Sequence, residues 1–334
     1  GTNNSKAVDY VAGWIWKASE YIKKVDGLFA FVTTNSICQG VQVPIVWPSV
    51  FRNGQEIVFA HKSFYWSNNA SNNANVICII VGVSPIGRQS TQKRIFDDNH
   101  QIVANNINAY LVDGPNIIVD KHPEPINRLP EMVAGNIPRD LGNFMLDPEE
   151  KVRLVTYYPN SESMIRKIQG SKEFINGIER YCLWIDDSQV PLALSIPEIS
   201  QRLSSIKEYR RTGSERGKLG YSTPHRFERR IVGKYSAIIV PRVSSERREY
   251  IPAGLLDADT IVSDAAQAVY DAPLYVLSIL QTKLHTAWVK LTAGRMKSDF
   301  RYSSGVCYNA FPIPQLTEKN REDLTAATES ILLA

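Results

Sequence analysis

The sequence predicts an α/β domain with an open sheet over 1–112, a mixed α+β domain over 113–255 and a helical region over 256–334. Three observations carry this reading. Helical and strand periodicities alternate through the opening stretch. The 334 residues amount to roughly two domains. An apolar content of 43% against 22% charged residues supplies a sizeable core and excludes disorder as the main state.

The elements follow in order. Val8, Val11, Ile15, Ala18 and Ile22 recur at helical spacing and mark one amphipathic face. The run Leu28 to Val32 is short and continuously apolar, which fits a strand buried on both faces of a parallel sheet, and it ends in the polar Thr33-Thr34-Asn35-Ser36. A second helix is expected over Val43 to Phe51, then strands at Ile57 to Ala60 and Val76 to Val83 on either side of an Asn-rich turn from Ser67 to Asn75. The series reads as the second half of an open sheet, too short to be a whole one. Residues 84–150 are rich in Asn, Pro and Gly and read as a linker leading into the next domain. Helices are expected at Pro148 to Tyr157 and Met164 to Ile178, strands at Arg180 to Ile185 and Ser236 to Val240. A long helix starts at Pro273, carries Leu274, Leu277, Leu280, Leu284, Trp288 and Leu291 on one face, and stops at Gly294.

Composition limits the function classes. No stretch of about 18 apolar residues offers a transmembrane span, and Gly1 to Ser5 lacks the basic and apolar regions of a signal peptide. Cys38, Cys78, Cys182 and Cys307 lie far apart inside apolar runs, as buried free thiols in a reducing cytoplasm would. The net charge of +4 is unevenly spread: residues 202–248 hold 13 Lys or Arg and 4 Glu, a net of +9, so the rest of the chain carries −5. Such a concentration points to a polyanion partner, or else to a solvated basic loop.

Self-sufficient catalytic motifs are missing. The sequence holds no GxGxxG, Walker lysine loop, HExxH or GxSxG. Its five histidines are scattered without metal-ligand spacing, so no metal is expected. Asp186 and Asp187 are adjacent, which suits a strand end entering a turn better than a shared metal. Thr33 to Ser36 stands where open α/β sheets bind ligands, beyond the carboxyl end of a strand; a turn capped by Asn and Ser explains the same residues. Arg295 to Ser303 interleaves cations with aromatics, a pattern that grips phosphates while rings pack on sugar or bases, or that snorkels over a surface loop.

Several segments in order resemble the MmeI-like (type IIL) restriction–modification enzymes, which join an N6-adenine DNA methyltransferase to a target recognition domain. They include Val8 to Trp14, Phe31 to Val43, Phe59 to Asn68, Gly135 to Asp140, Arg180 to Trp184, Val240 to Arg248 and Lys297 to Ser303. One departure is Asp140-Leu141-Gly142, where the family has Asp-Gly-Gly. The resemblance implies that 1–112 is the C-terminal half of a Rossmann-like methyltransferase sheet and 113–255 the target recognition domain. It also implies a C-terminal portion of a longer protein. The family's glycine-rich S-adenosylmethionine loop and Asn-Pro-Pro motif are not in this sequence, so the cofactor belongs to the full-length protein and is not expected to bind this portion tightly.

The resemblance then assigns roles. Thr34 and Asn35 border the cofactor and base pocket. Phe64 or Trp66 stacks on the extruded target base, which enzymes acting on bases must take out of the duplex, or else the two are ordinary core aromatics. Glu246 and Arg248, two residues apart and so on one face if extended, read a base pair or else pair on their own loop. Arg230, Arg242 and Arg247 contact phosphate, with Ser244, Arg295, Lys297, Arg301 and Tyr302 completing the DNA-facing set. The implied function is recognition of duplex DNA as part of a methyltransferase that also cleaves DNA if a nuclease domain accompanies it. A stand-alone, non-catalytic DNA-binding specificity module is the alternative, and an RNA-modifying relative of similar topology a weaker one.

Overall fold

The structure, a computed structural model, describes residues 8–66, 76–88, 92–213 and 215–333. The Asn-rich turn from Ser67 to Asn75 therefore lies outside the described residues. The chain divides into two compact units, one of residues 1–127, 245–247 and 287–313, the other of 128–244, 248–286 and 314–334. No helix among the described residues is long and apolar enough to cross a membrane.

In chain order, the first stretch forms α1 (Val11–Val25), β1 (Phe29–Thr34), α2 (Val43–Arg52), β2 (Gln55–Trp66), β3 (Val76–Pro85), β4 (Lys93–Asp97) and β5 (His100–Ala104). The middle adds β6 (Val133–Ala134), β7 (Met145–Leu146), α3 (Pro148–Tyr157), β8 (Ile165–Gln169), α4 (Ser171–Asn176), β9 (Tyr181–Leu183), α5 (Val190–Ser195), α6 (Pro197–Thr212) and α7 (Glu215–Leu219). Then come β10 (Ser236–Pro241), β11 (Val243–Ser244), β12 (Gly254–Asp257), β13 (Ile261–Val262), β14 (Ala266–Tyr270), α8 (Tyr275–Leu280), α9 (Lys283–Thr292), β15 (Gly294–Met296), β16 (Asp299–Arg301) and α10 (Glu318–Leu333).

The first unit is built on a five-stranded sheet of order β1-β3-β2-β4-β5. Its core joins Ile15 and Ile22 of α1 and Val46, Trp47 and Val50 of α2 to Ile57, Ala60, Ile79, Val81 and Val83 of the sheet. Apolar stripes on both helices thus cover one sheet face, as the periodicity predicts. The first strand departs from expectation. β1 runs antiparallel to β3 and stands at the edge of the described sheet, and Ala30 and Val32, which share one face of the strand, are exposed where burial on both faces was expected. Among the described residues, β2 with β4 is the one parallel pairing within this sheet. The hairpin of β4 and β5 falls in the stretch read as a linker; its strands are only five residues each, too short for a clear alternation.

The second unit has two four-stranded sheets, of order β12-β10-β14-β6 and β13-β8-β9-β7. Phe144, Trp184 and Phe227 pack in one core with Leu154, Leu183, Ile199, Leu203 and Ile206. The helix expected over 164–178 is instead the strand β8 followed by the short α4. The long helix expected from Pro273 is two helices. Thr282 Oγ1 accepts the His285 backbone N–H at 3.0 Å, capping α9 and ending the continuity with α8. Leu284 consequently points to solvent. The region 256–334 is mixed in structure, since β13 to β16 lie within it. Gly135 lies so close to Ser263 that a side chain there would collide with its backbone carbonyl. Leu141, at the departure from the family pattern, adopts a φ of 52°, a left-handed conformation that a glycine takes without cost.

The basic segment is reorganised most. Along α6 the buried positions are Ile199, Leu203, Ile206 and Arg210, so an arginine ends the apolar stripe. Arg210 is 1% exposed. Its guanidinium donates to the carbonyls of Pro138, Arg139, Gly220, Thr223 and Arg226 at 2.8–3.1 Å. Five backbone acceptors thus close around one side chain, and burial lowers its pKa. Substituting Arg210→Met strands these carbonyls and lowers unfolding free energy by about 3–5 kcal/mol, as measured by urea denaturation; a loss under about 1 kcal/mol removes Arg210 from this role.

His285 is fully buried, and desolvation pushes its pKa from 6.5 down to about 3. The unfolded chain therefore binds a proton near neutrality that the folded chain refuses, and stability falls as pH drops below the unfolded value. Between pH 7.5 and 5 this one group removes about 2 kcal/mol, at about 1.4 kcal/mol per pH unit. Chemical denaturation at the two pH values reads it. A His285→Gln variant with the same pH dependence as the parent would refute the assignment.

Candidate nucleic-acid interface

The first unit encloses a cleft of about 330 Å³. Its wall combines residues from distant parts of the sequence: Asn35 after β1, Lys62 to Tyr65 on β2, Asp97 on β4, Tyr110, Glu246, Lys290 in α9, and Arg295, Lys297 and Ser298 of the last hairpin. The sheet explains the placement of the aromatic pair. β2 carries a register shift between His61 and Phe64 in its pairing with β3, and such an irregularity re-aims the side chains beyond it. Phe64 then pairs opposite Cys78 and Tyr65 opposite Ile77.

The charges of the cleft divide into paired and unpaired sets. Lys62 Nζ binds Asp97 at 2.8 Å, and Arg295 binds Glu246 at 2.9 Å. Burial lowers the Arg295 pKa, and Glu246 opposes that shift. Lys290 and Lys297 have no carboxylate partner among the described residues. Lys297 occupies the two-residue turn between β15 and β16 with a φ of 57°, so the hairpin itself sets its position. Two unneutralised ammonium groups beside two aromatic rings suit an anionic ligand with flat apolar parts.

Several residues expected at the site gather here: Asn35, Phe64, Glu246, Arg295 and Lys297. Others do not. Trp66 is 47% exposed and is not part of the cleft wall. Thr34 turns to Ser36, with their hydroxyls 2.8 Å apart, while Asn35 Nδ2 reaches Ser63 Oγ at 3.4 Å. Tyr302 is 2% exposed and Ser244 is buried, so neither side chain offers a contact to a surface-bound ligand. Glu246 and Arg247 lie in a turn, which removes the extended geometry expected to bring Glu246 and Arg248 onto one face. Arg247, Arg248 and Arg301 are exposed.

Two arginines expected on phosphate are held by partners within the second unit. Arg230 donates to the carbonyl of Ile185 at 2.7 Å, binds Asp186 and lies over the Trp184 ring at 4.2 Å. Arg242 donates to the carbonyl of Asp264 at 3.0 Å. Much of the basic segment behaves likewise. Arg202 reaches Glu150 and the carbonyls of Asn143 and Met145, Arg226 pairs with Asp187, and Arg211 with Glu208. Sequence reasoning missed Lys62, Tyr65, Asp97, Tyr110 and Lys290. The only signal for them was the Lys62 to Trp66 run itself, where a cation precedes three aromatics.

Each carboxylate of the cleft holds one cation, Asp97 on Lys62 and Glu246 on Arg295, and the groups without an ionic partner among the described residues are cations. These cations repel the sulfonium of S-adenosylmethionine while attracting its carboxylate, so the charges of this cleft do not single out the cofactor.

Comparisons with known proteins agree across the chain. Residues 1–97 match the model of the MmeI DNA-methyltransferase domain, and residues 113–315 match the model of the MmeI target recognition domain. DNA methyltransferase A of Bacillus subtilis (strain 168) is 42% identical over 331 residues, covering 98% of this chain and 37% of that protein. A solved structure of the type IIL restriction–modification enzyme MmeI in complex with DNA superposes with a TM-score of 0.93 at 35% identity, covering 100% of this chain and 45% of that one. The chain thus spans less than half the length of either relative.

The anchoring of Arg230 makes a prediction. Arg230→Ala lowers unfolding free energy by about 2 kcal/mol in urea denaturation, because the Ile185 carbonyl is left without its donor and the Trp184 ring loses its nearer cation, Arg166 standing farther off at 5.8 Å. An unchanged midpoint would return Arg230 to the free surface cations. On the matched domains and the near-complete superposition, the chain belongs to the MmeI family and carries its target recognition domain together with a stretch of its DNA-methyltransferase domain.

Proposed function

We propose that this chain recognises duplex DNA as part of an S-adenosylmethionine-dependent N6-adenine DNA methyltransferase. The observation that carries the reading is the cleft in which Lys290 and Lys297, free of carboxylate partners among the described residues, stand beside Phe64 and Tyr65. Ammonium groups neutralise phosphates and release condensed counterions, which gives affinity without sequence preference. Phe64 offers its ring to an extruded base, and an aromatic face stabilises a base taken out of its stack. The kinship with an enzyme solved on DNA supports the same reading. Arg247, Arg248 and Arg301 are the remaining exposed cations of the expected set and extend the phosphate-facing surface. The four cysteines are free and buried, which accords with a cytoplasmic protein. The cofactor and the methyl transfer belong to the whole protein.

The test is the salt dependence of duplex binding, followed by fluorescence anisotropy. The double variant Lys290→Ala, Lys297→Ala lowers the slope of log affinity against log salt by about 0.9 for each phosphate that is no longer neutralised. Phe64→Ala leaves the slope alone and weakens a duplex carrying a mismatched, easily extruded base by about tenfold, at about 1–3 kcal/mol per stacked base. A double variant with the parental slope would sink the proposal.

A further inference from the structure

We infer that Arg295 is the positioning residue for Glu246, holding that carboxylate in the cleft wall as an acceptor for the exocyclic amine of a base in bound DNA. The inference rests on the DNA reading above. It begins from how completely Arg295 is fixed. Its Nη1 donates to Glu246 Oε2 at 2.9 Å and to the Ser298 carbonyl at 3.0 Å, and its Nη2 donates to the Lys290 carbonyl at 3.2 Å. The guanidinium carbon Cζ lies 4.2 Å from the ring centroid of Phe300, its partner across the hairpin, and Phe300 is itself buried. Three of its five donors are thus committed within the protein, both of those on Nη1 among them. Lys290 and Lys297 are different, being point charges on flexible stems with no carboxylate to hold them among the described residues.

Glu246 is held at one oxygen. Its Oε2 meets Arg295, and its side chain remains 44% exposed against 19% for Arg295. A carboxylate beside Lys290 and Lys297 in a wall facing a polyanion is electrostatically misplaced unless it is paired, since it repels phosphate; the other carboxylate of the cleft, Asp97, is held by Lys62. Pairing with Arg295 cancels its charge while leaving acceptor capacity, and a neutralised acceptor aimed into the cleft selects a donor. Among base edges that donor is an exocyclic amine, the N4 group of cytosine above all. Only a planar fork can join Glu246 to the Ser298 carbonyl of the hairpin and the Lys290 carbonyl of α9 at once, so lysine cannot replace Arg295 without loosening the carboxylate.

The test selects a preferred duplex for the 334-residue chain from a randomised library. Affinity for that duplex and for each of its single-base-pair substitutions is then measured at two salt concentrations. The expected result is that Glu246→Gln and Arg295→Met flatten discrimination at one and the same base pair, by about tenfold, while the double variant flattens it no further. The salt slope stays parental in all three. Arg295→Lys, which keeps the charge and the hydrocarbon stem, shows the same flattening and serves alone if the methionine variant melts early. Parental discrimination in Arg295→Lys alongside its loss in Glu246→Gln overturns the positioning role. So does a lowered salt slope with discrimination intact in Arg295→Met, which marks a phosphate contact. A parental chain that binds every duplex equally also overturns it, whereas one that binds no duplex overturns the DNA reading itself.

Discussion

The second unit depends on one requirement, that backbone carbonyls in irregular segments find donors once they are buried. Arg210 meets it most completely, gathering five carbonyls from 138–139 and 220–226 onto the end of α6. Arg229 does the same for Ala134, Arg230 for Ile185, Arg242 for Asp264 and Arg202 for Asn143 and Met145. The first unit solves the same problem with amides. Asn106 donates to Gly114, Asn108 to Pro115, and Asn309 to His122 and Pro123. Arginine suits the task because its guanidinium offers five donors in one plane and stays charged under burial that would deprotonate lysine.

This requirement changes the meaning of the charge pattern. A net of +9 over residues 202–248 reads as a polyanion surface when charges are only counted. Once arginines that bind carbonyls or carboxylates internally are set aside, a smaller group remains for a ligand. It includes Arg247 and Arg248 within the segment and Lys290, Lys297 and Arg301 beyond it. The segment is basic for two unrelated reasons, one belonging to folding and one to the surface. No composition separates them, because the acceptor that claims an arginine can lie about seventy residues away, as Pro138 does from Arg210.

The same distinction explains what the sequence could and could not show. Helices α1, α2 and α3 were legible because their apolar spacing or capping residues are local; α3, for example, opens with the reciprocal cap of Asp147 and Glu150. The apolar run of β3 was legible because it is buried over most of its length. The orientation of β1 was not, since a short apolar run looks alike in parallel and antiparallel pairing. The division between α8 and α9 hid behind a leucine pattern that continues through the cap at Thr282. For the cleft, Asn35, Phe64, Glu246, Arg295 and Lys297 were marked by residue type and by family order, whereas Lys290 and Asp97 had only their charge to show. Tyr302 misled because alternating aromatics and cations on a strand send every second side chain inward, and β16 with its extension turns Phe300 and Tyr302 to the core.

An arginine's role in this chain is thus decided by whether a backbone acceptor lies within reach of its fork. Arg295 stands on the boundary between the two populations. Two of its donors hold carbonyls, as those of Arg210 do, yet a third holds a carboxylate that faces the cleft. An arginine anchored on backbone alone contributes rigidity, and one with no anchor contributes only charge. An arginine anchored on backbone and also bound to an exposed carboxylate passes the rigidity of the hairpin to a functional group on a turn, which has little of its own. Turns tolerate substitution while hairpins preserve geometry, so on the proposed reading the β15–β16 framework, and not the turn that carries Glu246, supplies the aim of that carboxylate.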